Sequence, residues 1–86
     1  MQTTVQQYES AALASDVEAQ YELGLIYSTG GQGMPTDYVV AHMWLNIASA
    51  QGNAAARRLR AELAEDMSRD QIAEAQRRAR EWLARH

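Results

Sequence analysis

The chain of 86 residues is long enough for one compact domain and leaves little room for a second. It contains no cysteine, which excludes a disulfide framework, a thiolate nucleophile and a cysteine-based zinc site. The formal charge of −3 is uneven, because residues 1–56 hold five acids and no Lys or Arg, whereas residues 57–86 hold all eight arginines against six acids.

The sequence shows no targeting or membrane signal. No apolar run is long enough to span a bilayer, and residues 1–10 lack the basic start and apolar stretch of a signal peptide. We therefore expect a soluble protein with no membrane partner. Its compartment stays open: cytoplasmic if the chain is complete, and periplasmic if a leader was removed.

The spacing of apolar residues predicts five helices, and nowhere do apolar and polar residues alternate as in a strand. The first helix is expected over residues 5–14. Ser15 and Glu18 have the S-x-x-E spacing of a capping box, which predicts a second helix from that point to about residue 28. The glycine-rich stretch 30–33 followed by Pro35 predicts a turn.

Cap signals also delimit the last three helices. Thr36 or Asp37 is expected to cap a third helix over residues 38–50. Gly52 suits the position after a helix end, and the next residue, Asn53, suits the cap of a fourth helix over 54–66. Ser68 and Gln71 form a second candidate capping box, which predicts a fifth helix to the end of the chain.

Four residues recur at an offset of 37: Tyr8, Ala11, Asp16 and Ala19 reappear as Leu45, Ala48, Asn53 and Ala56. This period suits a helix–turn–helix unit that buries its apolar faces by stacking on neighbouring units. Gly24 stands in mid-helix, where glycine costs about 1 kcal/mol relative to alanine. We expect it to permit close approach of the helix containing Ala41 and Ala48.

Residues 19–56 resemble the Sel-one-like repeat, a relative of the tetratricopeptide repeat. The positions that carry the resemblance are Ala19, Leu23, Gly24, Tyr27, Gly33, Asp37, Ala41, Trp44, Ala48, Gln51, Gly52 and Ala56. Leu45 departs from the pattern, since an aromatic residue is common there, and the turn has one additional glycine. Leu23-Gly24 has no counterpart in the fourth helix.

The resemblance implies an all-α fold of antiparallel helical hairpins, as in a tetratricopeptide-like α-solenoid. It implies a single domain over residues 1–86, with a partial preceding repeat at 3–15, a central repeat at 16–52 and capping helices at 53–86, as in short bacterial members of the family. It further implies that the first helix of each repeat lines a concave face. On this face we expect Glu18, Tyr21, Leu25 and Ser28.

This face indicates a protein or peptide partner that is partly apolar and, given Glu18 and Glu22, basic. For Tyr21 and Leu25, ordinary core packing remains the alternative. We expect a non-enzymatic protein with no cofactor and no metal. Neither His42 nor His86 has a ligand at helical spacing, and the glycine turn lacks the Gly-Lys-Ser/Thr of a phosphate loop.

Two other functional hypotheses remain. The Arg-rich helices could bind nucleic acid or an acidic protein, through Arg57, Arg58, Arg60, Arg77, Arg78 and Arg80. The acids interleaved with these arginines and the negative net charge disfavour nucleic acid. Alternatively, the chain is an assembly unit of a longer repeat protein or of a homo-oligomer, because stable solenoids usually need about three repeats.

Overall fold

The computed structural model describes residues 4–86, so residues 1–3, with which the predicted domain and its partial repeat begin, lie outside it. Five α-helices account for most of this part of the chain, and it contains no strand. They are α1 (Val5–Leu13), α2 (Val17–Thr29), α3 (Tyr38–Ala50), α4 (Ala54–Ala64) and α5 (Arg69–Arg85). The predicted all-α fold of about five helices is confirmed.

Side-chain caps begin these helices. Asp37 accepts a hydrogen bond from the Val40 amide, and Asn53 caps α4 through the Ala56 amide. Ser68 forms the predicted capping box of α5. These bonds satisfy amide groups that have no partner in the first turn of a helix.

The prediction that Ser15 caps α2 is wrong. The cap is Asp16, whose side chain accepts a hydrogen bond from the Ala19 amide at 3.1 Å. Ser15 has φ +70, so it forms the reversal between α1 and α2 and does not take the extended conformation that an N-cap requires. The fourth helix also ends two residues earlier than predicted, at Ala64.

The turn between α2 and α3 uses backbone conformations that favour glycine. Gly30 ends α2 with φ 74, and Gly33 has the same φ two residues before Pro35. The chain then returns to α2, since the Asp37 amide donates to the Tyr27 carbonyl at 2.9 Å. The turn thus sets α3 beside α2.

Helix α3 is the centre of the molecule. It packs against α2, α4 and α5, and it buries residues around most of its circumference. One cluster of buried side chains joins α1, α2, α3 and α5, and includes Leu23, Trp44 and Ala79. A second cluster joins α3 to α4 around Leu45 and Leu63.

Gly24 is where α2 and α3 come closest. A Cβ added at Gly24 would lie 2.5 Å from Leu45 Cγ, well inside van der Waals contact. The close approach predicted from the sequence therefore exists. The residue that fills the space is Leu45, one turn further along α3 than the expected Ala41.

Helix α5 packs against α3 and has little contact with α4, its neighbour in sequence. The Trp82 ring stands edge-on to Trp44, with ring centroids 6.0 Å apart. Offset by 37, Ala41 and Ala48 of α3 correspond to Arg78 and Arg85 of α5. At these equivalent positions α5 therefore has large charged side chains, and α4–α5 does not repeat the packing of the α2–α3 hairpin.

Candidate functional site

The open side of α2 faces a shallow groove next to α4. Its depression has a volume of about 200 Å³. It is lined by Tyr21, Leu25, Ala55, Arg58, Leu59 and Glu62. Four of these are apolar or aromatic and are termed the apolar floor, whereas Arg58 and Glu62 are charged, and polar and apolar atoms contribute about equally to the exposed lining.

The four predicted face residues have different surroundings. Tyr21 is half-buried and packs against the second cluster, whereas Leu25, also half-buried, belongs to neither cluster. The Ser28 hydroxyl donates to the Leu25 carbonyl at 3.0 Å, so it is engaged by its own helix. Glu18 is exposed, and its carboxylate accepts a hydrogen bond from Asn53 Nδ2 at 3.5 Å. Tyr21 and Leu25 are the two of these four that line the groove.

The residues from α4 were missed by the sequence analysis. The offset of 37 could have found them, because it places α4 in the same position in its repeat as α2. Glu18, Tyr21, Glu22 and Leu25 then correspond to Ala55, Arg58, Leu59 and Glu62. Residues three or four apart form rows along each helix, and of these residues Tyr21 and Leu25 on α2 and all four on α4 line the groove.

Charge is distributed unevenly over these rows. On α2, Glu18 and Glu22 stand four residues apart beside the apolar row of Tyr21 and Leu25. Like charges at this spacing destabilise a helix by about 0.2–0.5 kcal/mol. Glu18, in the first turn, is favoured by the helix dipole. Nothing within residues 4–86 forms a hydrogen bond or ion pair with the Glu22 carboxylate.

Most of the family-signature residues form the frame that supports α2. Eight of them are buried: Ala19, Leu23, Gly24, Ala41, Trp44, Leu45, Ala48 and Ala56. Gly24 provides the close approach to Leu45, Gly33 and Gly52 have positive φ, and Asp37 caps α3. Tyr27 is half-buried and its hydroxyl donates to Glu9 Oε1 at 3.0 Å; burial, followed by the Glu9 hydrogen bond, raises the pKa of Tyr27.

Gln20 is a buried polar residue that the sequence did not reveal. It is fully buried, donates to the Ala12 carbonyl at 3.2 Å and accepts a 2.7 Å hydrogen bond from Gln51 Nε2. The same Gln51 nitrogen also donates to the Ile47 carbonyl. This network joins α1, α2 and the end of α3, so it fixes the orientation of α2 beside the groove.

The arginines are not equally available for a partner. Arg77 contacts Glu74 and Glu81 at 2.7 and 2.6 Å, and Arg78 contacts Glu74 at 2.7 Å. Hydrogen bonds from Arg77 and then Arg78 lower the pKa of Glu74 to about 2. Arg60 donates to Asn46 at 2.6 Å. Three of the six arginines predicted to bind an acidic partner are therefore engaged within the protein.

His42 is a buried histidine, and the described residues around it do not form a metal site. His42 is 3% exposed, and its Nδ1 has no hydrogen-bond partner among the described residues. Burial, followed by the charge of Arg60, lowers its pKa. Within residues 4–86 there is no group of three or more His, Cys, Asp or Glu that could hold a metal ion.

In the same part of the chain, no helix combines the length and the apolar character needed to cross a bilayer.

Comparison with known proteins gives one match. The family model described as Sel1 repeat matches residues 17–53, which span α2, the glycine turn and α3. No curated protein and no solved structure matches the chain. Sel1 repeats are helical hairpins that generally mediate protein–protein interactions and are not catalytic modules. The chain therefore contains a Sel1-like helical repeat at residues 17–53.

Proposed function

We propose that this protein is a non-enzymatic interaction module and that the groove between α2 and α4 binds a segment of a partner protein. The observation that carries the proposal is the position of Leu25. This large apolar side chain belongs to neither core cluster and lines the same open groove as Leu59. Apolar side chains gathered at a surface in this way commonly mark contact sites.

The internal repeat supports this interpretation. Ala19 and Ile26 of α2 are buried, and so are their equivalents in α4, Ala56 and Leu63. By contrast, Leu25 corresponds to the charged Glu62. Packing against the neighbouring helices therefore requires apolar residues at positions 19 and 26 of α2, but it does not require one at position 25.

A site-specific photo-crosslinker tests the proposal. Benzoylphenylalanine replaces Leu25 in one variant and Gln76, on the exposed side of α5, in the control. After irradiation in the native host, we expect a protein adduct from position 25 that is absent from position 76. Equal adducts from both positions, or none from position 25, would contradict binding in the groove.

Point variants then separate the groove from the arginines. Leu25→Ser should weaken binding of the crosslinked partner by about tenfold or more, because truncation of an apolar anchor commonly costs 1–2 kcal/mol or more. Arg77→Ala combined with Arg80→Ala should leave binding unchanged. If the arginine pair abolishes binding and Leu25→Ser does not, the site lies on the Arg-rich helices. Tyr21 is a less suitable probe, because it packs against the core.

We also propose that residues 16–52 are the functional repeat, that residues 3–15 are part of a preceding repeat, and that residues 53–86 close the stack. The packing of α5 across α3 supports this division, because α4 and α5 do not form a second close hairpin.

A further inference from the structure

The groove has a chemical asymmetry that specifies its partner more closely. On α2, Glu18 and Glu22 form a row beside Tyr21 and Leu25 and lie outside the groove lining, and Glu18 accepts a hydrogen bond from Asn53 Nδ2 at the start of α4. The apolar floor consists of Tyr21, Leu25, Ala55 and Leu59. The α2 flank, Glu18 and Glu22, carries two negative charges, whereas Arg58 and Glu62 on the α4 side carry one charge of each sign.

The acidic flank is not neutralised within the protein. Residues 1–56 contain no Lys or Arg, and no ion pair involves Glu18 or Glu22 in the part of the chain that the structure describes. Glu22 is half-buried beside Leu25, so its charge lies next to the apolar floor. A bound cation would remove the repulsion between these two carboxylates.

Repeat packing does not require these acids. The residues at the equivalent positions of α4 are Ala55 and Leu59, which are uncharged, and α4 still packs against α3. The dipole of α2 explains a carboxylate at Glu18. It does not explain Glu22, which lies beyond the first turn.

We infer that the groove selects a partner segment that combines a large apolar side chain with an adjacent Lys or Arg. The apolar side chain lies between Leu25 and Leu59, and the cation contacts Glu18 and Glu22. This inference rests on the proposed function, because it specifies the partner of the same groove.

Three labelled peptide pools of eight residues test it. Each pool has a central position that is a mixture of Leu, Ile, Met, Phe and Trp, flanked by Arg in the first pool, Gln in the second and Glu in the third. Binding is measured by fluorescence anisotropy, and ¹⁵N chemical shifts show whether the peptides contact the α2–α4 groove.

We expect the Arg pool to bind about five- to tenfold more tightly than the Gln pool, as partly exposed charge pairs typically allow, and the Glu pool to bind most weakly. The preference should shrink as NaCl is raised from about 50 mM to 500 mM, because salt screens exposed charges. Glu18→Gln with Glu22→Gln should remove the preference.

A matched control replaces two acids outside these rows, Glu65→Gln with Asp66→Asn, and should retain the preference. Equal binding of the three pools in the groove would overturn the inference and leave the proposed function standing. If no pool shifts the groove resonances at millimolar concentration, both the inference and the proposed function are overturned. Self-association that is lost on the Glu18/Glu22 substitutions would identify a second copy of the chain as the occupant and would also overturn the inference.

Discussion

Gly24→Ala is expected to destabilise the protein, although alanine is the better helix former. By helix propensity alone the substitution would stabilise the fold by about 1 kcal/mol. However, the new Cβ would lie 2.5 Å from Leu45 Cγ, and Leu45 is fully buried, so its side chain can give way only by displacing its neighbours in the core. Overpacking of this kind costs about 1–3 kcal/mol. The net expectation is a loss of about 1 kcal/mol.

The measurement is urea denaturation followed by circular dichroism, supported by the melting temperature. A loss of 1 kcal/mol corresponds to a decrease of about 4–8 °C in a domain of this size. Ala61→Gly is a matched control, because Ala61 stands 37 residues after Gly24 in an exposed part of α4. It should lose about 1 kcal/mol through propensity alone.

A double-mutant cycle with Leu45→Ala isolates the contact. That substitution alone should cost about 2–5 kcal/mol, as for other buried leucines. In its background the space beside Gly24 is open, so Gly24→Ala should become stabilising, with a coupling free energy of about 2 kcal/mol. If Gly24→Ala raises the melting temperature of the parent, or if the coupling is near zero, the close-packing explanation is wrong.

Two further predictions concern buried polar groups. Gln20→Ala should lower the free energy of unfolding by about 2–3 kcal/mol in urea titration, because it removes a fully buried side chain and both of its hydrogen bonds; a loss below about 0.5 kcal/mol would show that the network contributes little. The pKa of His42 is lowered in the folded state from its ordinary value of 6.5, so the unfolded state binds the proton more readily. The stability that neutral His42 provides is complete above pH 6.5 and is lost as the pH falls from there towards the folded pKa. His42→Leu should flatten the curve of unfolding free energy against pH in this window, and an unchanged slope would contradict the assignment.

Local sequence signals identified the helices because the interactions that delimit them are local. Asp37, Asn53 and Ser68 cap helices through amide groups three residues away, which residue type and spacing reveal. The wrong assignment of Ser15 as the cap of α2 arose because local signals alone were used. Ser15 and Asp16 are both good capping residues, and the choice depended on the backbone reversal between α1 and α2.

By itself, the sequence determined the all-α class, the glycine turn and the apolar face of each helix, because these follow from residues close together in the chain. It also showed the 37-residue period, because a repeat is visible when distant positions are compared directly. Only the tertiary structure decided what those faces contact. An amphipathic pattern says that Ala75, Ala79 and Trp82 lie on one side of α5, but not that this side packs on α3 instead of α4. Likewise, no local signal shows that Gln20 is buried or that Leu25 and Leu59 line one groove, because burial and proximity across helices depend on the positions of residues distant in sequence.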